Sequence, residues 1–249
     1  MIILWVNHKF PWVKNLDFLK DFFNDLAKKY PQIKSIYLSL NDNKADIAIW
    51  KLELVYWSEF IEEKLIDLTF NISPKSFFQT NSHWAQKLYQ EVLEQVEIKD
   101  LKNYTILDLY GWTWTIWMVF AKFAKKIISV ELVESASKDW EKNAQKNDIS
   151  NMEFVNKKVE DFLDDYLKES NSADLLIIDP PRAWMHPSAL PNILKFNTKN
   201  IIYVSCNPAT LSRDLEFILK NSEYKIKKIT PVDMFPHTPH IEVIVNLEK

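Results

Sequence analysis

The only cysteine in 249 residues, Cys206, closes the apolar run Ile201-Ile202-Tyr203-Val204-Ser205. The run reads as a buried strand, and Asn207-Pro208 stops it before a helix begins near Ala209. A thiol there stands where a strand's C-terminal end meets the next helix, the edge at which open α/β sheets take their ligands. Two readings stay open at this point: a nucleophile, or a buried cysteine serving as a small apolar residue. Ile177-Ile178-Asp179-Pro180-Pro181-Arg182-Ala183 repeats the pattern, with a carboxylate at the strand end and two prolines stiffening the loop behind it. An acid in that position faces the ligand crevice; the alternative is an acid that merely caps the turn. Asp108-Leu109-Tyr110-Gly111-Trp112-Thr113-Trp114-Thr115 closes a third run, and Glu131 ends the following one, about 20 residues on. That is the layout of a nucleoside-binding βαβ unit, in which the acid accepts hydrogen bonds from ribose hydroxyls. In Pro231–Glu242, His237, His240 and Glu242 offer too few ligands for a metal. Glu242, entering the same crevice, reads better as a general base. His8 has no partner at metal spacing and reads as a surface residue.

The elements that must position these groups fall into two parts. Residues 1–70 predict a small α+β region: strands at Ile2–Val6, Ile33–Leu40, Asp46–Trp50, Phe60–Lys64 and Leu68–Ile72, and a helix over Leu16–Leu26. Nothing in it carries recognisable chemistry. From residue 71 the pattern changes. Ser76-Phe77-Phe78-Gln79-Thr80-Asn81 leads into a helix running to about Val96, and strand and helix signals then alternate. Strands are expected at Thr105–Leu109, Ile127–Glu131, Glu153–Asn156, Asp174–Ile178, Asn200–Val204, Lys225–Pro231 and His240–Leu247. Helices are expected at 113–124, 135–147, 159–168, 188–195 and 208–220. Repeated βα units of this length predict an α/β, doubly wound, mostly parallel sheet over 71–249.

Composition bounds the rest. The 47% hydrophobic and 26% charged content is that of a globular chain with a real core. A single cysteine excludes a disulfide framework and any all-cysteine zinc or iron–sulfur site within the chain. Met1–Val6 lacks the basic leader and cleavage site of a secretory signal, and no stretch reaches membrane-spanning length, so a cytoplasmic enzyme is expected. The net charge of -3 exerts no global pull on nucleic acid. Lys125-Lys126, Lys157-Lys158 and Lys225/Lys227/Lys228 could form local basic patches, but read more simply as solvated helix and strand ends.

One imbalance stands out: the chain holds one glycine and ten tryptophans, against an average glycine content of about 7%. Turning the loops of a doubly wound domain calls for more glycine than that. Trp112 and Trp114 occupy the two places in the Asp108–Thr115 loop where glycine belongs, and Trp117 and Trp184 stand in comparable settings. The expectation is that these tryptophans hold glycine positions. One codon change separates the two residues, and UGA is glycine in some genetic codes and tryptophan in others.

Ser76–Asn81, Asp108–Thr115, Val130-Glu131, Asp179–Ala183, Ser205–Pro208 and His237–Glu242, in that order over roughly 70–249, resemble the S-adenosylmethionine-dependent RNA uracil-C5 methyltransferases, which make 5-methyluridine in bacterial tRNA and 23S rRNA. The resemblance implies a class I, Rossmann-like methyltransferase fold and S-adenosylmethionine as cofactor. It implies that Cys206 is the nucleophile and Glu242 the base, and that Gln79, Tyr110, Thr115, Glu131 and Asp179 contact the cofactor. Arg182, next to that site, is expected to help hold the target base or a phosphate. The implied partner is RNA, either rRNA or tRNA, with no membrane, no metal and no iron–sulfur cluster, and the protein is expected to be a monomer. Members of the family commonly carry an N-terminal RNA-binding β-barrel, for which this chain has no room in full. Many relatives have an acid after the third strand to meet the adenine; here the stretch is Asn156-Lys157-Lys158-Val159-Glu160, and Glu160 is the substitute at hand. Two alternatives remain: a methyltransferase acting on another nucleobase or a small molecule, and a non-catalytic RNA-binding relative. Retention of both Cys206 and Glu242 favours the enzyme, since a scaffold needs neither.

Overall fold

The structure is a computed structural model that describes residues 1–6, 16–40, 51–76, 78–111, 115–132, 134–169, 171–182, 185, 188–196 and 198–249. His8, the Asp46–Trp50 strand, Trp112, Trp114, Ala183 and Trp184 lie outside the described residues. The chain forms two compact units, Met1–Lys64 with Thr69–Ser76, and Leu65–Leu68 with Phe77–Lys249.

In the first unit, β1 (Ile2–Val6), α1 (Leu16–Lys29) and β2 (Ser35–Leu40) make a parallel βαβ step. β3 (Lys51–Trp57), which the sequence reading did not anticipate, pairs antiparallel with β2. Phe23 of α1 packs on Ile36 and Leu38 of β2. Helical spacing of the apolar residues thus buries one face of α1, while Phe18 and Phe22 stay on the other, 60% and 54% exposed. β4 (Ile61–Leu65) and β5 (Leu68–Ile72) form a two-stranded hairpin.

The second unit holds α2 (Ser82–Glu94), a short α3 (Ile98–Leu101), β6 (Thr105–Leu109), α4 (Thr115–Ala121), β7 (Lys126–Glu131), α5 (Glu134–Lys146), β8 (Met152–Asn156), α6 (Val159–Lys168), β9 (Leu175–Ile178), α7 (Ala189–Lys195), β10 (Asn200–Ser205), α8 (Pro208–Asn221), β11 (Lys225–Val232) and β12 (Glu242–Glu248). Only α3 among these was absent from the sequence reading, and α4 ends at Ala121, short of the expected 124. The strands form one seven-stranded sheet in the order β11-β12-β10-β9-β6-β7-β8. Strands β10, β9, β6, β7 and β8 are parallel, and β12 enters antiparallel between β10 and β11. Every residue of β9 and β10 is buried, because strands covered on both faces need continuous apolar runs rather than alternating ones. Charge blunts the exposed edge β11, where Lys227 pairs with Glu248 at 2.8 Å and Lys228 with Glu91 at 3.6 Å. Lys126 pairs with Glu153 and Lys157 with Asp165, so four of the lysines expected to be merely solvated are in ion pairs.

Candidate active site

The register of the sheet lines up the ends of its strands. Leu109 pairs with both Val130 and Ile178, and Tyr203 pairs with Ile178. The residues following these strands therefore share one edge, with Tyr110 between Glu131 and Asp179, and Cys206 beyond. Two backbone bonds hold the row: Gly111 N–H donates to the Val130 carbonyl at 3.1 Å, and Asp179 N–H to the Leu109 carbonyl at 3.2 Å. At the far side Ser205 pairs with Val243 across the antiparallel β10–β12 ladder. An antiparallel neighbour brings its beginning to this strand's end, so Glu242, the first residue of β12, arrives at the Cys206 end of β10.

The turn carrying Cys206 is built from capping side chains. Asn207 is the N-cap of α8, its side chain accepting from Ala209 N–H at 3.1 Å, and Pro208 follows at the first helical position. Ser205 Oγ accepts from Asn207 N–H at 3.2 Å, and Thr210 Oγ1 donates to the Asn207 carbonyl at 3.1 Å. Asn207 Nδ2 donates to the Arg182 carbonyl at 3.3 Å, which joins this turn to the Asp179–Arg182 loop. Behind the turn, Tyr203 of β10 donates to buried Asp214 of α8 at 2.7 Å, clamping strand to helix. Asn81 does the same for the other loops. It caps α2 and donates through Nδ2 to the Met234 carbonyl at 2.9 Å, tying the Gln79 stretch to the segment before Glu242.

These elements surround a cavity of about 1040 Å³. Gln79, Tyr110, Glu131, Asp179, Arg182, Cys206 and Glu242 all line it, as does Glu160. Its volume sits at the upper end of the range for ligand pockets, about 300–1000 Å³. Thr115 stands apart from the other expected residues. It is buried, and its hydroxyl shares a 2.7 Å hydrogen bond with Tyr89, so it anchors α4 to α2 instead of lining the cavity. Phe235, His240, Lys157 and Lys158 also line the cavity and had not been singled out as site residues. The Pro231–Glu242 stretch yields Glu242 as a base and offers too few ligands for a metal, and neither pattern marks an aromatic ring in a loop. Among the described residues no group of three or more His, Cys, Asp or Glu is placed to hold a metal ion.

Burial sets the protonation of the two reactive groups. It pushes the Glu242 carboxyl up to about 7, with the Arg182 guanidinium pulling the other way. The half-buried Cys206 thiol is raised first by burial and then by the Glu242 and Asp179 charges, again opposed by Arg182. A carboxyl near 7 exchanges protons readily at neutral pH, the property a general base needs. Deeper in, Asp108 is fully buried and pushed well above the usual carboxylate range by desolvation, while Ser129 Oγ donates to it.

Sheet order, strand-end acids and a shared cavity define a Rossmann-like domain of the class I methyltransferase type with a cysteine–carboxylate pair at its carboxyl edge. A putative S-adenosylmethionine-dependent methyltransferase from Streptococcus mutans has this fold, with a TM-score of 0.64 at 13% identity over 99% of this chain and 69% of its own. Residues 50–249 match the family model of the tRNA (uracil-5-)-methyltransferases, and the chain belongs to that family. An uncharacterized RNA methyltransferase of Fusobacterium nucleatum is 37% identical over 100% of this chain and 52% of its own length. One from Clostridium tetani is 39% identical over 94% and 51%. The crystal structure of Pyrococcus abyssi tRNA (uracil-54, C5)-methyltransferase with S-adenosyl-L-homocysteine superposes with a TM-score of 0.74 at 34% identity, covering 89% of this chain and 52% of that one. The chain thus spans about half the length of the relatives it matches. No helix among the described residues is long and apolar enough to cross a membrane.

Proposed function

We propose that residues 71–249 are a methyltransferase domain that moves a methyl group from S-adenosylmethionine to C5 of a uridine in RNA, tRNA or 23S rRNA, through a covalent adduct with Cys206. The observation that carries this reading is the arrival of Glu242 beside Cys206 in one cavity with Asp179 and Arg182. Uracil C5 is a poor nucleophile, and a thiolate adding to C6 makes the ring an enolate with its reactivity at C5. S-adenosylmethionine, when bound, supplies the sulfonium methyl that C5 takes up as S-adenosylhomocysteine leaves. Glu242 then removes the C5 proton, the C5–C6 double bond re-forms, and the C6–sulfur bond breaks to return the thiolate. Arg182 lines the same cavity as both reactive groups and its charge favours their ionised forms, which suits a residue holding the base or a phosphate beside them. Glu131 at the end of β7 matches the ribose-binding acid of nucleoside sites, with Gln79, Tyr110 and Asp179 along the same edge. Thr115 supports the cofactor side from beneath through Tyr89. The target nucleotide must leave its stack to reach the thiol.

The test uses tRNA and 23S rRNA fragments carrying 5-fluorouridine. Without a C5 proton to remove, the adduct accumulates and survives denaturing electrophoresis, and Cys206→Ala abolishes it. Methylation of either RNA class without a trapped adduct would overturn the covalent route. No methylation of either, with a small molecule or another base methylated instead, would overturn the substrate.

A further inference from the structure

We infer that tryptophan positions in this chain, Trp57, Trp117 and Trp140 and with them Trp112 and Trp114, are glycine in the functional protein. The composition raises the question, with ten tryptophans against one glycine. Three described tryptophans answer it independently of the loop.

Trp57, the last residue of β3, has φ 51, in the left-handed region that glycine enters freely and an aromatic residue rarely does. Its ring is 70% exposed, with Lys34 Nζ 5.1 Å from its centroid, so no core packing explains the indole. Trp117 in α4 is fully buried, and its Nε1–H finds no hydrogen-bond partner among the described residues. Trp140 in α5 is buried too, and its Nε1–H is likewise unmatched there. Buried indole N–H groups in native proteins are ordinarily bonded, and two such orphans from one residue type point to a common cause. By contrast Trp84 in α2 sits partly exposed beneath Lys87, 4.2 Å from its centroid, as an ordinary tryptophan does.

The loop itself supplies the fourth line. At Gly111 a Cβ would fall within 2.5 Å of Asp108 Oδ2 and closer still to Ser129 Oγ, so the chain keeps its one glycine where no side chain fits. Tyr110 before it has φ 67, and α4 begins four residues after Gly111, at Thr115. For Trp112 and Trp114 the inference rests on the proposed cofactor role of this loop; for Trp57, Trp117 and Trp140 it does not. A reassigned UGA codon accounts for all of them with one change in decoding.

The experiment is peptide sequencing by mass spectrometry of the protein purified from its native source, together with the codons of its gene. Tryptic peptides Asn103–Lys122 and Leu52–Lys64 carry Trp112, Trp114, Trp117 and Trp57. Expected are UGA codons and peptide masses lower by one tryptophan–glycine difference per position; UGG codons and tryptophan masses at Trp57 and Trp117 would overturn the inference. Recombinant protein made as written and its Trp112→Gly/Trp114→Gly/Trp117→Gly variant are then titrated with S-adenosylmethionine, with a gain of about tenfold or more expected in the variant. Glycine masses without any S-adenosylmethionine binding would uphold the decoding and sink the proposed activity, so the two readings fail separately.

Discussion

Two strand-to-helix turns on the same sheet edge solve different problems. The β10–α8 turn presents a side chain, Cys206. It is assembled from Ser205, Asn207, Pro208 and Thr210, whose oxygens and ring satisfy the helix start, and Asn207 keeps an ordinary extended φ of -138. The β6–α4 turn begins with Tyr110 at φ 67 and Gly111 in a space that excludes a Cβ. Polar side chains can hold a turn that displays a side chain, whereas a turn whose backbone must come close to its surroundings needs side chains removed. The first tolerates a glycine-free sequence and the second does not.

The comparison can be broken or sharpened in order of effect. Cys206→Ala removes the displayed group and leaves its turn intact. Methylation and the 5-fluorouridine adduct should fall to background while the melting temperature stays put; a surviving adduct would move the nucleophile elsewhere. Glu242→Gln should slow turnover by about 10²–10⁴-fold while adduct formation persists, seen as accumulation of protein–RNA complex with ordinary uridine. Gly111→Ala forces a methyl group against Asp108 and Ser129 and should destabilise the fold by roughly 1–3 kcal/mol in denaturant titration. Asn207→Ala removes a helix cap and the tie to Arg182, for about 1 kcal/mol of stability and a lower kcat. The smallest effect is on pH. Because Glu242 works ionised and burial raises it to about 7, activity should fall as pH drops through 7. Arg182 holds that carboxyl down, so Arg182→Ala should move the acid limb of the kcat profile to higher pH.

Much of this was legible residue by residue. Asp179, Glu131 and Cys206 each end an apolar run, and strand ends in βα repeats collect at one edge whatever the strand order. Thr115, which the family resemblance put at the cofactor, does not line the cavity, and nothing local says that Tyr89 from α2 shares a hydrogen bond with its hydroxyl. Phe235 and His240 did not stand out as cavity residues because their loop carries no periodic signal, and its tie to the Gln79 stretch runs from Asn81 to Met234, 153 residues apart in sequence. β3 was lost because the region before it carries no turn signal that separates it from the run upstream.

The order of residues alone determined the alternating elements, the groups standing at strand ends and the shortage of glycine, since these depend on apolar spacing and backbone sterics within a few residues. Tertiary structure alone decided that β12 slips antiparallel between β10 and β11. That insertion depends on pairing across the whole sheet, and it carries Glu242 to the end of β10 and half-buries it there, giving the carboxyl its raised affinity for a proton and the thiol its partner.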